Sequence, residues 1–255
     1  MNRFDNRTVL ITGAGSGIGQ ATVARILAEG GTVLAADISE AGLETTRTHA
    51  EQSGHADRLT TLVVDVSDEG SVQRVIGDAL KAAGKLDVLV NAAGILRSVH
   101  THECTLEFWN KVLTINLTGT FLVTRECLPA LLDTGNGVVV NFSSTSASFG
   151  HAYMAAYAAS KGGIQAFTHT IALEYAKQGL RAVSVCPGSI QSGMTSDPGL
   201  PADADWSLFA KMSPALNQGG FAGPENIAAA IAMFASDDGK FITGTELRID
   251  GGTHM

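Results

Sequence analysis

With 255 residues, 45% of them hydrophobic, the chain is long enough to bury one α/β core. Its 25 acidic residues against 17 basic ones leave a net charge of −8, which argues against nucleic acid as a partner and gives no attraction to an anionic membrane surface. No apolar run approaches the roughly 18 residues of a membrane span. The three cysteines (Cys104, Cys127, Cys186) neither pair evenly nor carry ligand spacing, so a reduced, cytoplasmic setting is expected and no metal is.

The polar start through Arg7 runs at once into an apolar strand, so no secretory leader is expected. Strands are predicted at Thr8–Thr12, Thr32–Asp37, Leu59–Asp65, Val88–Asn91, Val138–Phe142, Ala182–Cys186 and Leu247–Asp250. Most are continuously apolar, the pattern of strands covered on both faces of a parallel sheet. Helical stretches fall between them at about 17–29, 40–53, 69–83, 105–133, 153–178 and 224–236. Such alternation predicts an α/β protein with a doubly wound parallel sheet of about seven strands, one domain over 1–255.

The first turn, Thr12-Gly13-Ala14-Gly15-Ser16-Gly17-Ile18-Gly19, lies between a strand and a helix. Glycines there let backbone amides approach a pyrophosphate, and the helix N-terminus favours its charge. Asp37 ends the second strand and Ile38 follows it, with nothing basic beside them. An acid there accepts hydrogen bonds from ribose hydroxyls and repels an added phosphate, which predicts NAD rather than NADP.

Further on, Tyr157 and Lys161 stand four apart in an Ala-rich helical stretch, one turn apart on one face. A tyrosine titrates near ~10 and needs a nearby cation to serve as a base at neutral pH. The segment at about 188–222 is irregular yet carries Met194, Leu200, Trp206, Leu208, Phe209 and Met212. It reads as a mobile lid with a short helix near Trp206–Lys211.

Together these features resemble the short-chain dehydrogenase/reductase family over nearly the whole chain. The resemblance rests on the glycine turn, Asn91-Ala92-Ala93-Gly94, Asn116, Ser144, Tyr157-x-x-x-Lys161, Pro187-Gly188 and the closing Ile242-Thr-Gly244…Asp250-Gly-Gly252. It implies a Rossmann-type fold and an oxidoreductase using NAD(H) on a secondary alcohol or ketone. It implies Tyr157 as general acid/base, Lys161 lowering its pKa and holding the nicotinamide ribose, Ser144 (rather than its neighbour Ser143) orienting the substrate oxygen, and Asn116 holding a relay water. Asp65 and Val66 would flank the adenine, and Asn91, Ala92, Ala93 and Gly94 would support the cofactor, as would Pro187, Gly188 and Ile190. The family often places threonine after Pro-Gly for the nicotinamide carboxamide; here Ser192 stands there, with Thr195 a second candidate. The resemblance also implies a homotetramer paired through the helices at about 105–133 and 153–178.

Leu96, His151, Tyr153 and Met194 are candidate substrate contacts, with Phe149 and Arg97 of similar standing; Arg97 could meet an acidic group. His100 and His102 have no third metal ligand at recognisable spacing and read as a solvated loop. Two other functions compete: a 3-oxoacyl thioester reductase (on acyl-carrier protein or CoA), which Asp37 opposes if NADPH is its donor, and a catalytically silent NAD-binding sensor or scaffold.

Overall fold

A computed structural model of the chain describes residues 2–216 and 220–255. Met1 and residues 217–219, part of the expected 188–222 segment, lie outside them. Among the described residues seven parallel strands form one sheet in the order β3-β2-β1-β4-β5-β6-β7. They are β1 (Thr8–Thr12), β2 (Thr32–Asp37), β3 (Leu59–Val63), β4 (Val88–Asn91), β5 (Val138–Phe142), β6 (Arg181–Pro187) and β7 (Thr245–Ile249). The helices are α1 (Gly17–Ala28), α2 (Glu40–Gln52), α3 (Glu69–Ala83), α4 (Leu106–Leu113), α5 (Gly119–Asp133), α6 (Ala155–Glu174), the single turn α7 (Gly193–Ser196) and α8 (Glu225–Ala235).

Strand side chains alternate between faces, so each apolar run feeds two layers. Val9, Ile11, Val33, Val88, Val90, Val140 and Val183 pack with α1, α2 and α8 through Val23, Ile26, Leu43, Ile227 and Ile231. Leu10, Leu34, Leu89, Val139 and Ala182 pack with α3, α5 and α6 through Val72, Ile76, Val123, Leu131 and Ile171. The strand order reverses between β1 and β4, which opens a crevice at the C-terminal ends of the strands.

The structure departs from the expected elements where contacts distant in sequence intervene. The helix expected over 105–133 runs through a π turn at Thr114–Thr118, between α4 and α5, with right-handed helical backbone on both sides. Asn116, inside that turn, accepts from the Ile95 amide at 2.8 Å and donates to the Ile95 carbonyl at 3.0 Å. A π turn re-aims side chains and is frequent at functional sites. α6 starts at Ala155 rather than 153, because Tyr153 has φ +66, outside helical geometry. α6 ends at Glu174, and a 3₁₀ turn at Ala176–Gln178 closes on Gly179 at φ +84. The last strand runs Thr245–Ile249 at the sheet edge, with its middle residues exposed rather than covered on both faces. β3 stops at Val63, and Asp65 turns into the crevice. Within 188–222, α7 and a 3₁₀ turn at Trp206–Met212 form, the second where a short helix is expected.

Candidate active site

The crevice is a cleft of about 780 Å³. At one end lies the turn between β1 and α1. Gly13 and Gly17 have φ +68 and +52. A Cβ on Gly13 would sit 2.8 Å from the Ala92 carbonyl, and one on Gly19 only 2.0 Å from the Gly13 oxygen. Glycine is therefore required for the turn to press against the segment after β4. Ser16 caps α1 without a side-chain hydrogen bond, so its hydroxyl does not take up the first-turn amides. Asp37 stands on the cleft wall, its Oδ2 accepting from the Gly15 amide and its Oδ1 from the Ser39 amide, each at 2.8 Å. Each oxygen keeps a second lone pair for another donor.

Gly13, Ser16, Gly17, Ile18, Gly19, Asp37, Ile38, Asp65, Val66, Ala92, Ala93, Gly94, Pro187, Gly188, Ile190 and Ser192 all line this cleft. Gly15 and Asn91 do not. Gly15 spends its amide on Asp37. Asn91 is buried in the sheet, donating to Thr124 and Asn141 at 2.9 Å each, so its support is beneath the cleft. Asn110, Lys111, Thr114 and Ile115 also line it, and sequence reasoning misses them. They share one face where α4 runs into the π turn, but the helix pattern alone gives no sign of which face meets the cleft.

At the other end, α6 carries Tyr157 and Lys161 on one face, as their spacing requires. Lys161 is buried and donates to the carbonyl of Phe142, the last residue of β5, at 2.9 Å. Its ammonium lies 5.6 Å from the centre of the Tyr157 ring. Ser143 turns its hydroxyl to the Lys161 carbonyl at 3.0 Å, whereas the Ser144 hydroxyl accepts from the Ser146 amide at 3.2 Å and lines the cleft with Tyr157. Burial pushes the phenol up to about 12, which the nearby Ser144 hydroxyl partly offsets, and pushes the Lys161 ammonium down to about 8. Lys161 is not among the causes of the phenol's shift in the protein alone. Lys161 is directed at Phe142, and burial presses it toward neutrality instead.

Asn116 closes this end from below. Its Nδ2 also donates to Ser160 at 3.1 Å. A Cβ on Gly94 would lie 3.1 Å from the Asn116 Oδ1 and 3.7 Å from the Lys161 Nζ, so these three residues converge. Ser192 and Thr195 form a reciprocal cap on α7, and the Thr195 hydroxyl donates to the Ile190 carbonyl at 2.7 Å.

Of the substrate candidates, Met194 lines the cleft; Leu96, His151 and Tyr153 do not. His151 stacks with His254 at 5.6 Å and approaches the Thr145 hydroxyl at 3.4 Å. Burial holds its imidazole down to about 4, so it is neutral at pH 7. Phe149 stacks on His254 at 4.1 Å. Arg97 is exposed and donates to the Leu96 carbonyl at 2.8 Å. His100, at the surface, pairs with Asp203 at 2.9 Å, which raises its pKa, and His102 is exposed. Among the described residues no cluster of three or more His, Cys, Asp or Glu could hold a metal, and no helix is long and apolar enough to cross a membrane.

A dinucleotide fits these residues: glycine backbone that any Cβ would obstruct, a helix N-terminus, and an acceptor at the end of β2. Comparison with known proteins agrees. Residues 13–254 match a family model described as enoyl-(acyl carrier protein) reductase. The chain is 36% identical over 250 residues to the 3-oxoacyl-[acyl-carrier-protein] reductase FabG of Thermotoga maritima, covering 98% of both chains. It is 38% identical over 251 residues to the cis-4-hydroxycyclohexanecarboxylate dehydrogenase of Sinomonas cyclohexanicum, covering 98% of this chain and 97% of that one. The crystal structure of levodione reductase superposes with a TM-score of 0.89 at 32% identity, covering 98% of each chain. Shared fold, shared length and the tyrosine–lysine end of the cleft lead to one conclusion: the chain belongs to the short-chain dehydrogenase/reductase family and is a nicotinamide-dependent oxidoreductase acting on CH–OH groups.

Proposed function

We propose that the protein transfers hydride between NAD(H) and a secondary alcohol or its ketone, with Tyr157 as general acid/base. The observation that carries this reading is that Ser144, Tyr157 and Lys161 line one cleft together, with Tyr157 and Lys161 one turn apart on α6. Nicotinamide, when bound, supplies the hydride acceptor or donor. An alcohol carbon releases hydride only as its hydroxyl proton departs, so a base must lie within hydrogen-bond reach of that oxygen. Tyr157 takes that proton. Ser144 donates to the same oxygen and fixes it. Lys161 holds the nicotinamide ribose and supplies the positive charge that favours a phenolate. Asn116, next to Lys161 through Gly94, holds the water that carries the proton onward. Ser192 contacts the carboxamide, since Thr195 spends its hydroxyl proton on Ile190.

Asp37 sets the preference for NAD(H). Replacing it with serine is expected to weaken NAD(H) binding by roughly 10-fold, the worth of a charge-assisted hydrogen bond, and to improve NADP(H) binding. Calorimetry on both cofactors checks this; equal affinity of the unaltered protein for NAD and NADP would remove Asp37 from the selection.

Ile95, Ile190 and Met194 give the cleft apolar wall beside its polar groups. We take the substrate to be a small or medium apolar alcohol, and a ring fits the relatives named for a hydroxycyclohexanecarboxylate and for levodione. The relative named for 3-oxoacyl-carrier-protein reduction keeps the thioester reading in play. NADH formation over cyclic alcohols, polyols, hydroxysteroids and 3-hydroxyacyl thioesters tests the two together. Tight NAD binding without turnover on any of them would favour the silent sensor.

Residues 188–216 and 220–222 make the proposed lid, with Gly188, Ile190 and Met194 on the cleft wall, and the free thiols of the three cysteines suit a reducing cytoplasm. The outer faces of α4, α5 and α6 expose Leu106 (73%), Phe121 (42%) and Leu173 (83%), more than a lone surface needs. We assign these faces to a homotetramer. Light scattering should give four times the 26.4 kDa chain mass, and a monomer would refute the assignment.

A further inference from the structure

Tyr153 has a backbone conformation that bulky L-residues rarely adopt, with φ +66. The only other non-glycine residue in this region, among those described, is Asn6. Asparagine tolerates that conformation and tyrosine does not, so other contacts must hold Tyr153 there. Its carbonyl accepts from the Val99 amide at 2.9 Å. Its phenol accepts from the Asp205 amide at 2.9 Å. The His100 ring meets its ring edge-on at 5.0 Å, and Phe209 stacks on it at 6.1 Å.

Asp205, Phe209 and Asp203 all belong to the segment between β6 and α8, and all three reach the same spot. Asp205 also caps the 3₁₀ turn at Trp206–Met212, accepting from the Ser207 amide at 2.9 Å. Asp203 pairs with His100, and one step away the Ser98 amide donates to the Pro198 carbonyl at 3.0 Å. Tyr153 therefore joins three pieces: the 95–100 segment after β4, the 198–209 stretch, and the start of α6. It stands two residues before α6 and four before Tyr157.

We propose that Tyr153 is a positioning residue that latches the 198–209 stretch over the reacting end of the cleft, and so sets affinity for the alcohol without touching it. This rests on the proposed dehydrogenase function and on the lid reading, and it replaces the expectation that Tyr153 contacts substrate. The phenol is committed to the Asp205 amide, and the left-handed backbone aims the ring at the lid. A ring alone would keep the His100 and Phe209 contacts, but only a hydroxyl can accept from Asp205. The latch transmits to the chemistry through the first turn of α6 and through Met194, which precedes the latched stretch and lines the cleft.

The test is Tyr153→Phe, studied by hydrogen exchange of the 198–210 peptide with NAD bound and by steady-state kinetics. Exchange at the Asp205 amide should rise roughly 5- to 10-fold, the worth of one hydrogen bond. KM for the alcohol should rise by about 5-fold on the same grounds, with kcat and NAD affinity within about twofold. Tyr153→Gly, which accepts the φ of that position, should fold and loosen the stretch further. Unchanged exchange in Tyr153→Phe would overturn the latch. A raised KM with unchanged exchange would also overturn it, because Tyr153 would then be a direct substrate contact. Raised exchange in a protein that turns over no alcohol would support the latch while refuting the proposed reaction, so the two failures are separable.

Discussion

Tyr157→Phe is expected to keep NAD affinity within about twofold and to lower turnover by about 10²-fold or more, the usual worth of a positioned general acid/base. The substitution removes one oxygen and leaves the ring packed, so the cleft should keep its shape. Ser144 would remain as a donor to the substrate oxygen but has no group to pass a proton to. The pH dependence gives a second reading. Burial holds the phenol up to about 12 in the protein alone, so the phenolate is the minor form at neutral pH. Alcohol oxidation needs that phenolate and should quicken about tenfold per pH unit until the working pKa of the cofactor complex is reached. Ketone reduction needs the neutral phenol and should hold level over the same range, then fall above it. The rise should vanish in Tyr157→Phe. Near-normal turnover, or an unchanged pH profile, would remove Tyr157 from the mechanism.

Lys161→Met should abolish turnover and yet raise stability at pH 7. The folded protein holds this ammonium in a site that lowers its pKa from 10.5 to about 8. The unfolded chain protonates at the ordinary value. Below pH 8 both states carry the proton, and the folded state bears the full penalty, about 3 kcal/mol for that interval. Between pH 8 and 10.5 the folded state releases its proton first, so the penalty fades and stability rises with pH. Methionine fills a similar volume without the charge. It also leaves the buried Phe142 carbonyl without its donor at 2.9 Å, a loss of about 1–2 kcal/mol. The net gain should be about 1–2 kcal/mol at pH 7, or roughly 3–6 °C in melting temperature for a chain of this size. It should shrink toward pH 10. Melting curves at the two pH values check both sign and trend, and a variant less stable at pH 7 would mean that the ammonium is well solvated or compensated. Residues that disfavour their own fold are common where chemistry requires them.

Asp37 and the glycine turn show how far local rules reach. Strand, turn and helix are adjacent in sequence, so their order alone places Gly13 to Gly19 at a helix N-terminus. Tyr157 and Lys161 are legible for the same reason, since a four-residue spacing on a helix is itself a geometry. The apolar strands, buried on both faces at the sheet centre, announce a parallel sheet through composition alone. β7 escapes that reading, because an edge strand needs covering on one side only.

What the sequence by itself determined is the periodic and the nearest-neighbour: the strand–helix alternation, the phosphate-type turn, the acid at the end of β2, and the tyrosine–lysine pair. Tertiary structure alone decided the rest, because it depends on groups far apart in the chain. Asn116 sits in a π turn and bonds the Ile95 backbone, 21 residues earlier, a partner that no local spacing reveals. Tyr153 leaves helical geometry where segments from both sides of it in the chain converge. Lys161 loses its easy protonation because β5 and α6 bury it together, and no spacing records how much water a fold removes from a charge.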